Sequence, residues 1–191
     1  MQKINFNDRY GLTASVIGEI KTNTRRIEGG EQFQLAATEA EDFFYEEDAG
    51  YIVMCCQGVE IFRHKCRYKV GEVVAVAQCY NDVVREFTDL AFVPGSTNKM
   101  FVRADLMPHQ IRITGIRCER LQDISDACCL KEGIRYVPEI DKFYFEDVSR
   151  EEGFYFDNHR EAFASLIDKV SGRGTWKSNS WVVAYEFELL K

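Results

Sequence analysis

Apolar and polar side chains alternate along much of the chain, which predicts more strand than helix. The clearest case is "WVVAYEFELL" (181–190), where every second side chain on one face is bulky and apolar. The segment "YIVMCCQGVEIFRH" (51–64), broken by one glycine, is typical of a hairpin or a bulged strand. "EVVAVAQCY" (72–80) has the composition of a largely buried strand.

Two further regions add to the predicted sheet. The stretch 99–121 is expected to hold two strands, and in the second, isoleucines alternate with polar residues from Ile111 onward. The triplet Phe-Tyr-Phe occurs at 143–145 and again at 154–156, around a polar turn, which predicts a β-hairpin with an aromatic face. "LAFVPGSTNKM" (90–100) carries the turn residues of a loop.

Three separate segments are predicted to be helices. The first covers about 10–20, and "KTNTRR" (21–26) is expected to be the turn that leaves it. The second lies between Ser125 or Asp123, either of which can cap its start, and Gly133, which can end it. The third, "HREAFASLIDKVSG" (159–172), has the clearest apolar stripe.

Strands outnumber helices and do not alternate regularly with them, which predicts an α+β fold with an antiparallel, barrel-like sheet. The acidic stretch 27–50 stays open between a helix and a mobile insertion. The chain has 191 residues and 46% hydrophobic content, so we expect one globular domain over 1–191. No apolar run reaches the roughly 18 residues of a membrane span, and the first twenty residues do not resemble a signal peptide. These features predict a cytoplasmic protein without a membrane partner.

The net charge of −7 disfavours binding to long nucleic acids, because that affinity comes mainly from neutralising phosphates. Cationic residues are nevertheless clustered at 21–26 and 63–69, which is compatible with a local basic pocket. The seven cysteines include no C-x-x-C spacing. We therefore expect buried, reduced thiols and no metal site, and no sequence feature predicts a cofactor.

Several segments, in this order, resemble the ASCH (activating-signal-cointegrator homology) domain family, in the branch found in bacteria and phages. They cover about two thirds of the chain: "IKTNTRRI", "YKVGEVVAV", "MPHQIRITGIRCERLQDIS", "KEGI", "AFASLIDKVSGRGTW" and "NSWVVAYEFELL". The resemblance implies a PUA-like antiparallel β-barrel with flanking helices, and insertions at about 27–50 and 136–158. It also implies a cleft that binds RNA or a modified nucleoside or nucleotide.

Small members of that family are similar to amidohydrolases that deacetylate N4-acetylcytidine. Carried over to this sequence, the implied catalytic residues are Lys21, Thr24 and Glu132. A threonine hydroxyl needs a base to become a nucleophile. Lys21 could be that base if burial lowers its pKa, or it could stay charged and stabilise an oxyanion while Glu132 moves the proton or activates a water. A purely structural alternative makes Lys21 and Glu132 an ion pair and leaves Thr24 to hold its turn.

Four residues are predicted to contact the ligand. Arg25 and Arg26 match basic positions of the family and, with Arg112, suit phosphate or ribose. The alternative for one of the first two is an ion pair with an acidic neighbour. Trp176 follows a glycine-rich turn and is the predicted stacking residue, whereas core packing is expected for Trp181.

Three functions remain open at this point. The first is a module that binds RNA or a modified nucleoside without turnover. The second is an amidohydrolase acting on an N4-acylated cytidine. The third is a protein-interaction module of phage or mobile-element origin, which would use the acidic segment 27–50.

Overall fold

The computed structural model describes residues 1–87, 98–149 and 152–190. These residues form eleven strands in three sheets and six α-helices, so the prediction of a mixed α+β fold is confirmed. The largest cluster of buried side chains draws on strands of all three sheets and on four of the helices. The three sheets therefore pack around a common core.

The strands are, in chain order, β1 Lys3–Ile4, β2 Asn23–Arg26, β3 Asp42–Glu46, β4 Tyr51–Cys56, β5 Val59–Lys65, β6 Val73–Val76, β7 Gln110–Arg120, β8 Arg135–Val137, β9 Lys142–Asp147, β10 Glu152–Phe156 and β11 Trp181–Leu190. The helices are α1 Leu12–Ile17, α2 Gly30–Glu39, α3 Tyr80–Phe87, α4 Asp126–Lys131, α5 His159–Ser171 and α6 Thr175–Ser178.

The central sheet has the strand order β1-β6-β7-β11-β2. Its β1–β6 pair is parallel and its other pairs are antiparallel, and β7 with β11 forms the longest ladder. Among the described residues these pairings leave the sheet open between its two edge strands, β1 and β2. The antiparallel character is thus found for most of the sheet, without a closed barrel in this part of the chain.

The segment 21–26 corrects a prediction, because most of it is a strand and not a turn. Strand β2 pairs antiparallel with β11, so that Thr24 lies opposite Tyr185. Sequence reasoning missed this strand because it looks for apolar alternation. Here three of the four side chains are buried although all four are polar.

The ambiguous segment 27–50 contains α2 and β3. Helix α2 begins after Gly29, whose φ is +71°, and a Cβ at this glycine would lie 2.5 Å from the Cβ of Phe33. Phe33 and Ala37 of this helix are buried in the core. Strand β3 pairs with β4, and β4 forms the predicted hairpin with β5, including a bulge after Met54. That 27–50 is an insertion relative to other proteins stays a prediction.

The third sheet has the order β10-β9-β8 and contains the predicted aromatic hairpin. The ring centroid of Phe145 lies 5.1 Å from that of Phe154 and 5.8 Å from that of Phe156. The prediction of an aromatic face is therefore confirmed. Residues 150–151 of its turn lie outside the described residues, and the predicted insertion at 136–158 stays a prediction.

The stretch 99–121 holds one strand instead of the predicted two. Only β7 forms, and a 3-10 turn at Ala104–Leu106 replaces the first strand. Val102 and Met107 on either side of this turn are buried, so the apolar residues mark packing and not strand pairing. Most of the predicted loop 90–100 lies outside the described residues.

The three predicted helices are confirmed as α1, α4 and α5. Ser125 caps α4, because its Oγ accepts a hydrogen bond from the N–H of Cys128 at 3.3 Å. Gly133 ends this helix with a φ of +101°. Helix α5 buries Phe163 and Leu166, and these side chains form one wall of the site described next.

Candidate functional site

A cavity of about 370 Å³ lies against the edge strand β2. Apolar side chains of α5 and residues 5–7 near the start of the chain form part of its wall. Its polar lining includes five of the predicted site residues, namely Lys21, Thr24, Arg25, Arg26 and Glu132. The fold therefore brings together residues that lie more than a hundred positions apart in the chain.

The Lys21 side chain is buried, and its ammonium group is fully hydrogen-bonded. Nζ donates to the carbonyl oxygen of Asn23 at 2.7 Å, to the carbonyl oxygen of Glu132 at 3.0 Å and to Oε2 of Glu132 at 2.6 Å. An ammonium group has three N–H donors, so all three are used. Burial lowers the pKa of Lys21, although the Glu132 carboxylate opposes this shift.

The chain positions this pair through the ends of two helices. The turn after α1 carries Lys21, and the next N–H, that of Thr22, donates to the carbonyl oxygen of Lys131 at 2.9 Å. Lys131 is the last residue of α4, and Glu132 is its C-terminal cap. One backbone hydrogen bond thus fixes the turn to α4 next to the ion pair.

Arg25 supplies a second cation to the Glu132 carboxylate. Its Nη1 donates to Oε1 of Glu132 at 2.8 Å, and its Nε donates to Oε1 of Glu119 at 2.6 Å. Burial alone would lower the pKa of Arg25, but the two carboxylates outweigh it and raise the pKa. The guanidinium is buried and held by protein carboxylates, which matches the ion-pair alternative for this arginine.

Sequence reasoning missed the outer part of this network. Arg117 donates from Nε to Oε2 of Glu119 at 2.7 Å and also pairs with Glu186. The strand register explains the contact, since Arg25, Ala184 and Arg117 lie side by side on β2, β11 and β7. The small side chain of Ala184 leaves room for Arg25 to reach across β11 to Glu119 on β7. A signal was present in "RCER" (117–120), where charges at alternate positions share one face of a strand.

Thr24 and Arg26 lie on the other face of β2, because successive side chains of a strand point to opposite faces. Both line the cavity. Among the described residues, no hydrogen bond joins the Thr24 hydroxyl to Lys21 or Glu132. Arg26 donates from Nη2 to the carbonyl oxygen of Asn5 at 2.9 Å, and its buried Nε finds no hydrogen-bond partner in the described part of the chain. The Lys21–Glu132 pair is therefore formed, with the threonine near it but not bonded to it.

The structure does not bring the other two predicted ligand contacts to this cavity. Arg112 is half-exposed on β7, where it pairs with Glu188 at 3.3 Å. Trp176 packs edge-on against Phe163, with ring centroids 5.9 Å apart, and the guanidinium of Arg160 covers its face. Both side chains are occupied by protein partners, and neither lines the cavity.

The seven cysteines are free thiols and lie within the described residues. Burial raises the pKa of Cys66 to about 12 and that of Cys129 to about 11. The pKa of Cys128 is lowered, because hydrogen bonds from Ser125 and Arg25 outweigh its partial burial. In the described ranges no group of His, Cys, Asp and Glu side chains is placed to hold a metal ion. No helix in those ranges is long and apolar enough to cross a membrane, and the cytoplasmic location stays a prediction.

Comparison with protein-family models, curated proteins and solved structures finds no match for this chain. A functional conclusion therefore depends on the geometry of the cavity and on the segments that resemble the ASCH family.

Proposed function

We propose that this chain is an ASCH-type protein of PUA-like architecture that binds a modified nucleoside or nucleotide in the cavity beside β2. The observation that carries the proposal is the lining of this one cavity. Its polar lining includes Lys21, Thr24 and Glu132, the three residues that the resemblance implies, and apolar side chains of α5 form another part of its lining. A flat base needs an apolar wall and a few fixed polar groups, which is the usual composition of a small-molecule site.

Size and charge favour a small ligand over a long RNA. The volume of about 370 Å³ lies at the lower end of the range of roughly 300–1,000 Å³ for ligand pockets. The net charge of −7 weakens any surface that would follow a phosphate backbone. A nucleoside or mononucleotide fits both constraints, with Arg26 as the rim cation whose Nε has no hydrogen-bond partner among the described residues.

The hydrogen bonds of Lys21 favour a binding role over a catalytic one. Its three N–H donors already bond to protein oxygens, so the lysine shapes the cavity wall without an open donor. Loss of a proton to act as a base would break one of these buried bonds and leave its acceptor unpaired. Lys21 and Glu132 therefore hold the wall against which the ligand lies.

Amide hydrolysis is the second candidate, and the 2.6 Å contact between Lys21 Nζ and Glu132 Oε2 at the cavity wall favours it. In this reaction water adds to the acyl carbon, the C–N bond breaks, and acetate and the free amine leave. Glu132 would take the proton from water and pass it to the amine. The Lys21 ammonium would stabilise the oxyanion by its charge. To do so, one of its N–H donors would move from the Asn23 carbonyl oxygen to the oxyanion.

The experiment is to titrate the protein with cytidine and N4-acetylcytidine by calorimetry and to follow release of cytidine by chromatography. We expect saturable binding by the wild type and about ten-fold weaker binding by Lys21→Met, because loss of the ammonium leaves the Glu132 carboxylate without this partner and lets the cavity wall rearrange. Lys65→Met, at an exposed position on β5, is the matched control and should bind as the wild type does.

Turnover separates the two candidates. Release of cytidine by the wild type that is lost in Lys21→Met and in Glu132→Gln, the two residues that act in this reaction, establishes hydrolysis. Binding without release establishes the binding role. If the wild type neither binds nor hydrolyses these nucleosides, both candidates are rejected. Circular dichroism of each variant shows whether a loss of binding reflects unfolding. Thr24→Val, which changes the cavity lining but preserves the buried ion pair, keeps the binding test informative if Lys21→Met unfolds.

A further inference from the structure

The outer edge of β2 presents a peptide group toward the side where the cavity lies. In an antiparallel ladder, residues alternate between those whose peptide groups face the partner strand and those whose peptide groups face away. The N–H of Phe187 donates to the carbonyl oxygen of Thr22 at 2.9 Å, so the peptide groups of residues 22, 24 and 26 face β11. Those of Asn23 and Arg25 consequently face outward.

The peptide groups of the two outward-facing residues, Asn23 and Arg25, differ in their hydrogen-bond partners. The Asn23 carbonyl accepts the hydrogen bond from Lys21 Nζ at 2.7 Å. This bond agrees with a carbonyl group that faces away from β11. The N–H and carbonyl of Arg25 bond neither to β11 nor, among the described residues, to any side chain. A buried peptide group needs a partner, and Arg25 lines the cavity.

Residues 5–7, which follow edge strand β1, also line the cavity, and among the described residues no backbone hydrogen bond joins them to β2. Asn5, Phe6 and Asn7 all line the cavity, and the contact between the two segments is the side-chain bond from Arg26 to the Asn5 carbonyl. The cavity therefore occupies the gap where the two edges of the central sheet fail to meet. An open strand edge of this kind is a ready hydrogen-bonding template.

We propose that the ligand fills this gap by pairing with the peptide group of Arg25, through a flat edge that carries a hydrogen-bond acceptor next to a donor. The N3 atom and the N4–H of a cytosine-type base form such an edge, and N4-acetylcytidine keeps both. The N–H of Arg25 donates to N3 and its carbonyl accepts from N4–H, while the ring lies against the apolar wall from α5. This inference rests on the proposed nucleoside site and adds which protein atoms select the base.

The arrangement has a specific consequence. Selection of the base depends on backbone atoms of an edge strand, and the Arg25 side chain serves to hold that strand through Glu119 and Glu132. Arg25 thus has two roles: its side chain belongs to the ion-pair network, and its peptide group recognises the base.

A ligand series tests this without altering the protein. Calorimetry compares cytidine with 3-deazacytidine, in which C–H replaces N3, and with N4,N4-dimethylcytidine, which has no N4 hydrogen. Each analogue is expected to bind about ten-fold more weakly, because it leaves one buried peptide group unpaired. Equal affinity of all three overturns the inference but leaves the nucleoside site standing. Failure of all three to bind overturns the inference and the nucleoside site together.

Amide hydrogen exchange, measured residue by residue by NMR, provides the direct readout. The Arg25 amide, which has no hydrogen-bond partner among the described residues, should exchange at least about ten-fold more slowly with saturating cytidine than in the free protein. The Thr24 amide, which faces β11 in both states, is the internal reference. With 3-deazacytidine at saturation the Arg25 amide should not slow to the rate reached with cytidine, because C–H replaces the N3 acceptor. An Arg25 amide that cytidine does not slow relative to Thr24 overturns the inference.

Discussion

Two ion pairs of this protein use the same kinds of group but lie in opposite environments. Lys21 and Glu132 are 2.6 Å apart, with side-chain exposures of 3% and 6%, whereas Arg112 and Glu188 are 3.3 Å apart, with exposures of 48% and 54%. The buried pair lines the cavity and the exposed pair does not. Residue type therefore does not separate a site from a surface, and burial does.

The physical difference is the cost of losing water. A buried charge loses several kcal/mol of hydration, which is recovered only when hydrogen bonds satisfy each polar atom. This condition holds for the Glu132 carboxylate, because one of its oxygens accepts from Lys21 and the other from Arg25. The exposed pair keeps its water, so its attraction is screened and weak.

The largest effect should follow removal of the shared carboxylate. Glu132→Ala leaves Lys21 and Arg25 as buried cations without this partner, and we expect it to lower the free energy of unfolding by about 3–5 kcal/mol. Urea denaturation measures this change. Glu188→Ala is the matched control on the exposed pair, with an expected change below about 1 kcal/mol. Equal losses in the two variants would contradict the role assigned to burial.

An intermediate effect is expected where a buried carboxylate meets a half-exposed arginine. Hydrogen bonds from Arg9 and Ser149 hold the pKa of Asp147 at about 2, below its ordinary value of 3.8. A carboxyl group whose pKa is lowered by folding contributes stability above its ordinary pKa, and this contribution is lost as the pH falls toward the folded value. Wild-type stability should therefore fall between about pH 3.8 and pH 2.

The measurement is the urea midpoint as a function of pH for the wild type and Asp147→Asn. The variant should be less stable at pH 7, and the difference between the two proteins should shrink as the pH approaches 2. A constant difference across that window would show that the charge of Asp147 is not the cause.

The smallest effect should come from Arg112→Ala. Because this arginine is half-exposed and outside the cavity, its loss should change the free energy of unfolding by less than about 1 kcal/mol. Nucleoside affinity, measured by calorimetry, should equal that of the wild type. A large loss of affinity would restore Arg112 to the ligand site, where sequence reasoning had placed it.

The site was predictable only in part, and the parts differ in kind. Lys21, Thr24 and Glu132 were identified through resemblance to a family, and the cavity contains all three. Arg112 was selected by residue type, and Trp176 by residue type together with the glycine-rich turn before it. Neither feature says anything about existing partners. Both side chains are already paired within the protein. The peptide edge at Arg25 was not visible in the sequence, since every residue carries the same backbone atoms and only pairing shows which remain free.

What the sequence determined by itself was local. The apolar stripe of α5, the Ser125 cap and Gly133 stop of α4, and the alternation along β11 all act within a few residues. Tertiary structure alone decided that a polar segment becomes an edge strand and that Lys21 meets Glu132 across 111 positions. The burial of a side chain and the distance between remote side chains depend on strand register and helix packing. Local sequence propensity determines neither burial nor such distances.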